Sequence, residues 1–306
     1  MNLVVQNVAI LFTFVFLGFF VGKLGIIDHS STPDLCNFLL KVTLPATVFC
    51  SMLRPFELTM LHDSALILGL MIGYHLLCML IGALAVRAGH ISGPKAGVWV
   101  FVCMFCNNGF MGLPLGQSLY GNDGLFLMAV ANVISNLLIF SVGALLLTHG
   151  KNGIRLSGRQ LLYNNINIAV ALGAVFYFTQ WQVPAFPLTI LQQLGGLTGP
   201  LSMIVVGLSA SRYEVKKMFQ DRSIYVLTAI RLLLIPLITA GIVHLLPFRT
   251  GSIIPALLIL TAALPAPSSS TIILEQHHMD TEPAAQAIFL STLFSLVTVP
   301  LMMSLL

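Results

Sequence analysis

Between about Ala96 and Tyr120 the chain stays apolar for long enough to cross a bilayer, yet the middle of that run reads Asn107-Asn108-Gly109-Phe110-Met111-Gly112-Leu113-Pro114. Two amides, two glycines and a proline are poor residues for the centre of a spanning helix. Proline removes a backbone donor, and its ring clashes with the preceding turn. Glycine costs about 1 kcal/mol against alanine in a helix interior. In hydrocarbon every backbone group freed this way must find a partner inside the protein or line a wet cavity. The stretch therefore predicts a broken helix. A second interruption follows at Ala263-Leu264-Pro265-Ala266-Pro267-Ser268-Ser269-Ser270-Thr271. Paired interruptions at matching positions of two halves point to a binding site in carriers built from internal repeats.

The rest of the chain supplies the setting. Of 306 residues 57% are hydrophobic and only 8% charged, where a soluble domain carries about 25% charged residues. This composition predicts an all-α integral membrane protein. The net charge of +4 comes from basic residues in short loops, which does not point to nucleic acid as a partner. The first apolar run, Leu3 to Gly22, has no basic residue before it and is expected to be a true span, not a secretory signal. All five cysteines (Cys36, Cys50, Cys78, Cys103, Cys106) fall within apolar runs, so no disulfide framework is expected.

With about 20 apolar residues needed per crossing, the pattern predicts ten spans, at roughly 3–22, 34–53, 64–86, 96–120 (broken), 124–147, 161–181, 187–210, 223–246, 253–276 (broken) and 283–305. Residues 149–160 form a linker between two sets of five, 1–148 and 161–306. Loops after spans 1, 3, 5 and 7 hold ten basic residues: Lys23, Arg87, Lys95, Lys151, Arg155, Arg159, Arg212, Lys216, Lys217 and Arg222. Loops after spans 2, 4, 6 and 8 hold only Arg54 and Arg249. Basic residues favour the cytoplasmic side, so both termini are expected outside the cytoplasm, with the linker inside. Five spans per half is odd, so the second half enters inverted. Sequence echoes agree: Pro45 and Pro200 are offset by 155 (200 less 45), and Pro114 and Pro265 by 151 (265 less 114). A 5+5 inverted repeat with broken, crossing helices 4 and 9 follows as the expected fold.

Val42-Thr43-Leu44-Pro45-Ala46, Asn108-Gly109-Phe110-Met111-Gly112-Leu113-Pro114-Leu115, Ala263-Leu264-Pro265-Ala266, and Leu290-Ser291-Thr292-Leu293 with Pro300 resemble the auxin efflux carrier family. That family includes bacterial malate-permease-like carriers and the plant PIN-formed auxin exporters. The likeness spans nearly the whole chain, in order and spacing. It implies a fold shared with bile-acid sodium symporters, in which spans 1, 2, 6 and 7 form a scaffold and spans 3–5 and 8–10 a transport domain. It further implies an elevator-type movement and often a homodimer. The chain lacks the long central loop of the plant carriers, and its first break differs from theirs, so a bacterial-type carrier is the nearer likeness.

A break exposes the N-terminus of the following half-helix, whose free N–H groups and positive dipole end attract anions. The substrate-binding candidates are therefore Asn107, Asn108, Gly109, Pro114, Pro265, Ser268, Ser269 and Ser270, whose amides and hydroxyls both donate and accept. The competing reading is that these side chains only satisfy backbone freed by the prolines. Asn132 and Asn136, on one helical face, read either as interhelical glue or as a second polar patch. Pro45 and Pro200 are expected to kink matching helices and to open a groove.

Ionisable groups inside spans are functional suspects. No Asp or Glu lies near a span centre, but Lys41, His75 and Arg231 lie within spans. Lys41 and Arg231 either snorkel to the cytoplasmic surface or act as a counter-charge or interdomain lock. His75 is either a proton relay or a neutral histidine bonded between helices. Cys103-x-x-Cys106 has no second ligand pair nearby, and His277-His278 sits at a short turn; no metal and no cofactor is expected. The predicted function is a secondary carrier of small organic mono- or dicarboxylates in the cell (inner) membrane, with H+, Na+ or no coupling ion. The alternative is a sensor or binding protein on a carrier-like fold. No H-E-x-x-H and no paired intramembrane aspartates occur, which argues against an intramembrane enzyme.

Overall fold

The computed structural model describes residues 3–148, 165–212 and 214–304. The linker 149–160, its Lys151, Arg155 and Arg159, and the start of the sixth expected span lie outside the described residues. Among the described residues there are helices and turns and no strand, as expected where backbone polar groups must be satisfied without water. Among the described residues seven helical runs are long and apolar enough to cross a membrane, and two shorter apolar helices, Asn165–Thr179 and Ile254–Ala263, accompany them. One of the seven, Pro94–Leu147, has 54 residues. A straight helix of that length would measure about 80 Å, against roughly 30 Å of hydrocarbon. It is in fact divided: Phe105, Cys106 and Asn107 are not helical, and Gly121 takes φ 62°, ψ −149°.

Three prolines leave the same mark on their helices, whereas Pro300 sits inside Glu282–Met303 without it. Three π turns, Leu39–Thr43, Asn108–Gly112 and Ile230–Leu234, are each followed two residues on by a proline: Pro45, Pro114 and Pro236. Proline has no N–H for the carbonyl four residues back, and its ring crowds that carbonyl. Those carbonyls belong to Lys41, Phe110 and Leu232, the middle residue of each π turn. Widening the turn relieves the clash, and π turns of this kind recur at functional sites. A fourth π turn, Ile139–Gly143, has no such proline.

The chain forms two compact units, residues 1–68, 109–133 and 162–212, and residues 69–108, 134–161 and 213–306. In the first, helix Leu3–Lys23 packs against Thr198–Ser211 almost backbone to backbone. A Cβ on Gly18 would collide with the Ile204 carbonyl oxygen, and one on Gly207 with that of Val15; small residues permit this approach. The helices that carry Pro45 and Pro200 also join. Thr47 Oγ1 lies 2.6 Å from Thr198 Oγ1 and donates to Gly195 O or Thr43 O, each at 2.9 Å. Arg54 pairs with Asp123 at 2.6 Å. In the second unit the helix Ile254–Ala263 is buried on every side, with Leu257, Ile259, Leu260, Ala262 and Ala263 wholly inaccessible. A helix apolar all round belongs in such an interior position.

Candidate functional site

Both predicted interruptions are present. The helix Pro94–Met104 stops before the extended Phe105 (φ −116°, ψ 153°), and the helix Ile254–Ala263 stops before the extended Leu264 (φ −67°, ψ 149°). Helix resumes at Ser269–Gln276 in the second case. In the first it resumes through the π turn Asn108–Gly112 into Leu113–Leu138. The first break is thus upstream of its expected place. The residues outside helix are Phe105, Cys106 and Asn107, and the Gly109 to Pro114 stretch is wound. The π turn explains the difference: widened around the Phe110 carbonyl, it lets the winding run on through Pro114, so this proline does not interrupt it.

The two breaks meet. Asn107 donates its backbone N–H to the carbonyl of Pro265 at 2.9 Å, and Asn108 donates to Cys106 O at 2.8 Å. Asn107 and Asn108 are buried, and the side-chain amide nitrogen of Asn107 has no partner among the described residues. On the other side, Ala266 donates its N–H to Ser291 Oγ at 2.9 Å. Pro265 is buried, Ser268 and Ser269 are half-buried, and the Ser269 hydroxyl is enclosed without a partner among the described residues. Ser270 is buried and spends its hydroxyl on Pro267 O at 2.9 Å, so it caps its own loop. Of the eight binding candidates, Asn107, Asn108, Pro265 and the three serines lie in the second unit, and Gly109 and Pro114 in the first. A Cβ on Gly109 would meet nothing within 4 Å. Pro114 Cβ lies 4.0 Å from where a Cβ of Gly199 would stand, beside Pro200.

The kink residues behave unequally. Pro45 is half-buried behind the π turn Leu39–Thr43. Pro200 is exposed in the first turn of Thr198–Ser211, and the preceding helix ends earlier, at Gly196. Leu197 alone separates the two helices, and Pro200 is the third residue of the second, where its missing N–H has no intrahelical partner to lose. Lys41 is exposed and, with Pro45 and Phe49, lines a cavity of about 400 Å³.

Arg231 does not snorkel. Its side chain has no accessible surface and sits in the π turn Ile230–Leu234. Nη1 donates to Tyr74 Oη at 3.0 Å and to Cys103 O at 3.5 Å, and Nη2 donates to Thr261 O at 3.2 Å. Cys103 and Thr261 are in the last turns of Pro94–Met104 and Ile254–Ala263, where the dipole end is negative; Thr261 O also accepts a long bond, 3.4 Å, from Leu264 N–H. One guanidinium therefore closes the C-terminal ends of both half-helices just before they break. Snorkelling fails for a geometric reason: two negative helix ends inside the protein compete with the surface for this charge. His75 is buried with Nδ1 2.7 Å from Met71 O on its own helix, and its ring rests on Tyr74 and Phe105 at 5.4 and 5.5 Å. A carbonyl only accepts, so Nδ1 carries a proton, and the bond lies within one helix, not between two. Tyr74 and Ser291 were not singled out as site residues in the sequence. Tyr74 adjoins the suspect His75, and Ser291 lies in a matched motif, which are the only signals that mark them.

Residues 3–303 match the family described as "Membrane transport protein". The chain is 29% identical to an uncharacterized transporter of Methanothermobacter thermautotrophicus, over 97% of this chain and 96% of the relative. It is 24% identical to an uncharacterized transporter of Methanocaldococcus jannaschii, over 96% of both. Broken apolar helices, a membrane-type composition and end-to-end similarity lead to one assignment: the chain belongs to the membrane transport protein family, the auxin efflux carrier group that its motifs resemble.

Proposed function

We propose that this protein is a secondary carrier of small organic anions, mono- or dicarboxylates, and that the junction of the two breaks recognises the carboxylate. The observation that carries the reading is the bond from Asn107 N–H to Pro265 O. It holds two interrupted helices together at a point where buried amides and an enclosed serine hydroxyl sit close in the chain to fresh helix N-termini. Such ends attract anions without a mobile base.

The finer architecture belongs to the same proposal. Counting the Pro94–Leu147 run as two crossings and adding the two short apolar helices brings the seven spans to ten, which supports a 5+5 repeat, and the bias of basic residues to alternate loops supports its inversion, with both termini extracytoplasmic in the cell membrane. An elevator movement of one domain past a scaffold, and a homodimer, fit the family likeness. Purified protein in liposomes tests the function: a labelled carboxylate should enter down its gradient. Asn108→Ala should cut that uptake at least about tenfold, as expected for a lost buried polar contact to a charged ligand. Uptake equal to that of empty liposomes for every mono- and dicarboxylate tried would overturn the reading.

A further inference from the structure

The position of Arg231 has a consequence for coupling. In carriers with broken helices, half-helix C-terminal ends and unwound carbonyls are the groups that coordinate a coupling Na+ or H+. Here the Cys103 and Thr261 carbonyls, from two such ends, and the Tyr74 hydroxyl converge on the guanidinium of Arg231. The side chain is wholly buried, and no carboxylate forms an ion pair with it among the described residues. A buried charge needs compensation, and the two negative helix ends and the phenol oxygen provide it. Guanidinium stays protonated under all ordinary conditions, so this charge cannot be released during a cycle.

We infer that Arg231 is a tethered monovalent cation, filling a carbonyl cradle that a mobile coupling cation would otherwise occupy. Its consequence for coupling rests on the carrier reading, whereas the cradle itself does not. The protein as it stands needs no sodium at this place, and removal of the side chain opens a site for a small cation lined by Cys103 O, Thr261 O and Tyr74 Oη. Arg231 is a positioning residue here: it holds the two half-helix ends together and touches no substrate.

Thermal unfolding of the full chain in detergent tests this without any transport measurement. The wild type should unfold at one temperature in sodium, potassium and choline chloride at equal ionic strength. Arg231→Ala should unfold about 5–10 °C lower in choline. Millimolar sodium or guanidinium should then restore at least half of that loss, while added choline restores none. Arg231→Lys, which keeps the charge, should fold and remain indifferent to the choice of cation. A sodium-specific gain in the wild type would overturn the inference. So would an alanine variant that no cation rescues, or a lysine variant that requires sodium. If Arg231→Ala does not fold, the wild-type and lysine arms still decide. Liposome uptake in sodium and in choline is then compared for the wild type. Equal uptake agrees with the tethered charge, and sodium-dependent uptake contradicts it. No uptake in either defeats the carrier reading and leaves the cation results standing.

Discussion

The two helix breaks reach the same result by different means. The second is written into the local sequence: Pro265 and Pro267 each remove a donor within three residues, and Ser291 supplies an acceptor for the one N–H between them, that of Ala266. The first contains no proline at all. Phe105 and Cys106 carry no breaking signal, and the non-helical stretch 105–107 ends on Asn107, whose N–H is bonded across to Pro265 O. One break is intrinsic and the other is imposed by it. A chain can thus build a symmetric-looking junction from one rigid partner and one that is held in place.

If that asymmetry is right, the largest effect should come from the dependent side. Asn107→Ala removes a buried amide there and should lower liposome uptake of carboxylate by about tenfold or more, with its unfolding temperature little changed. A loss of folding without a specific loss of uptake would place Asn107 in the framework instead. Pro265→Ala should reduce uptake several-fold, by allowing Ile254–Ala263 to run on by a turn. Since Pro267 still stops the helix, the effect should be smaller than that of the double replacement, and equal effects would deny the second break its redundancy.

Ser291→Ala strips the acceptor from a buried N–H, at a cost of about 1–2 kcal/mol, read as unfolding roughly 2–8 °C lower. Ser291→Thr, which keeps the hydroxyl, should recover most of it. Gly109→Ala should leave the unfolding temperature unchanged or slightly higher, because a Cβ there meets nothing within 4 Å and a less flexible unfolded chain favours the fold. A fall in uptake with no fall in stability would put that open space on the substrate's route.

The smallest effect belongs to a control remote in sequence from both breaks. Asp221 caps the helix Arg222–Ala229 by accepting from Ser223 N–H at 2.9 Å, and it pairs with Lys95 at 2.5 Å. Burial pushes its carboxyl up, but the hydrogen bonds from Lys95 and Ser223 outweigh this and hold it below the usual value of 3.8. Its stabilising contribution is therefore full above that value and disappears as pH falls through the lower folded one. Asp221→Asn should flatten this acid limb of an unfolding-temperature profile, shift the neutral value by only about 1 °C, and leave uptake unchanged. A loss of uptake would tie this cap to the breaks.

Much of this was readable from residues alone. Membrane character, the two interruptions and the family likeness follow from composition, from Asn107 to Pro114 and from Pro265 to Thr271. The exact start of the first break was not, because Phe105 and Cys106 carry no breaking signal and the bond that meets this stretch, Asn107 N–H to Pro265 O, is a tertiary one. Nor was the burial of Arg231, since a base some seven residues from a span end reads the same whether it reaches out or turns in; the deciding groups, Cys103 O and Thr261 O, are distant in sequence and belong to the backbone. Pro114 and Pro200 misled for a plainer reason: a π turn can absorb a proline, and the first turn of a helix accepts one, without a break.

Each π turn also changes what a helix presents. It accommodates one residue more than an α-turn, and one residue is about 100° of rotation. Beyond Leu39–Thr43 and Ile230–Leu234, which lie within helices, the inward stripe is therefore a different set of residues from the one before. Deleting a single residue inside such a turn should straighten the rod and swing everything downstream by a quarter turn. The same helix can in this way show one face to its neighbours at one membrane surface and another face at the opposite surface.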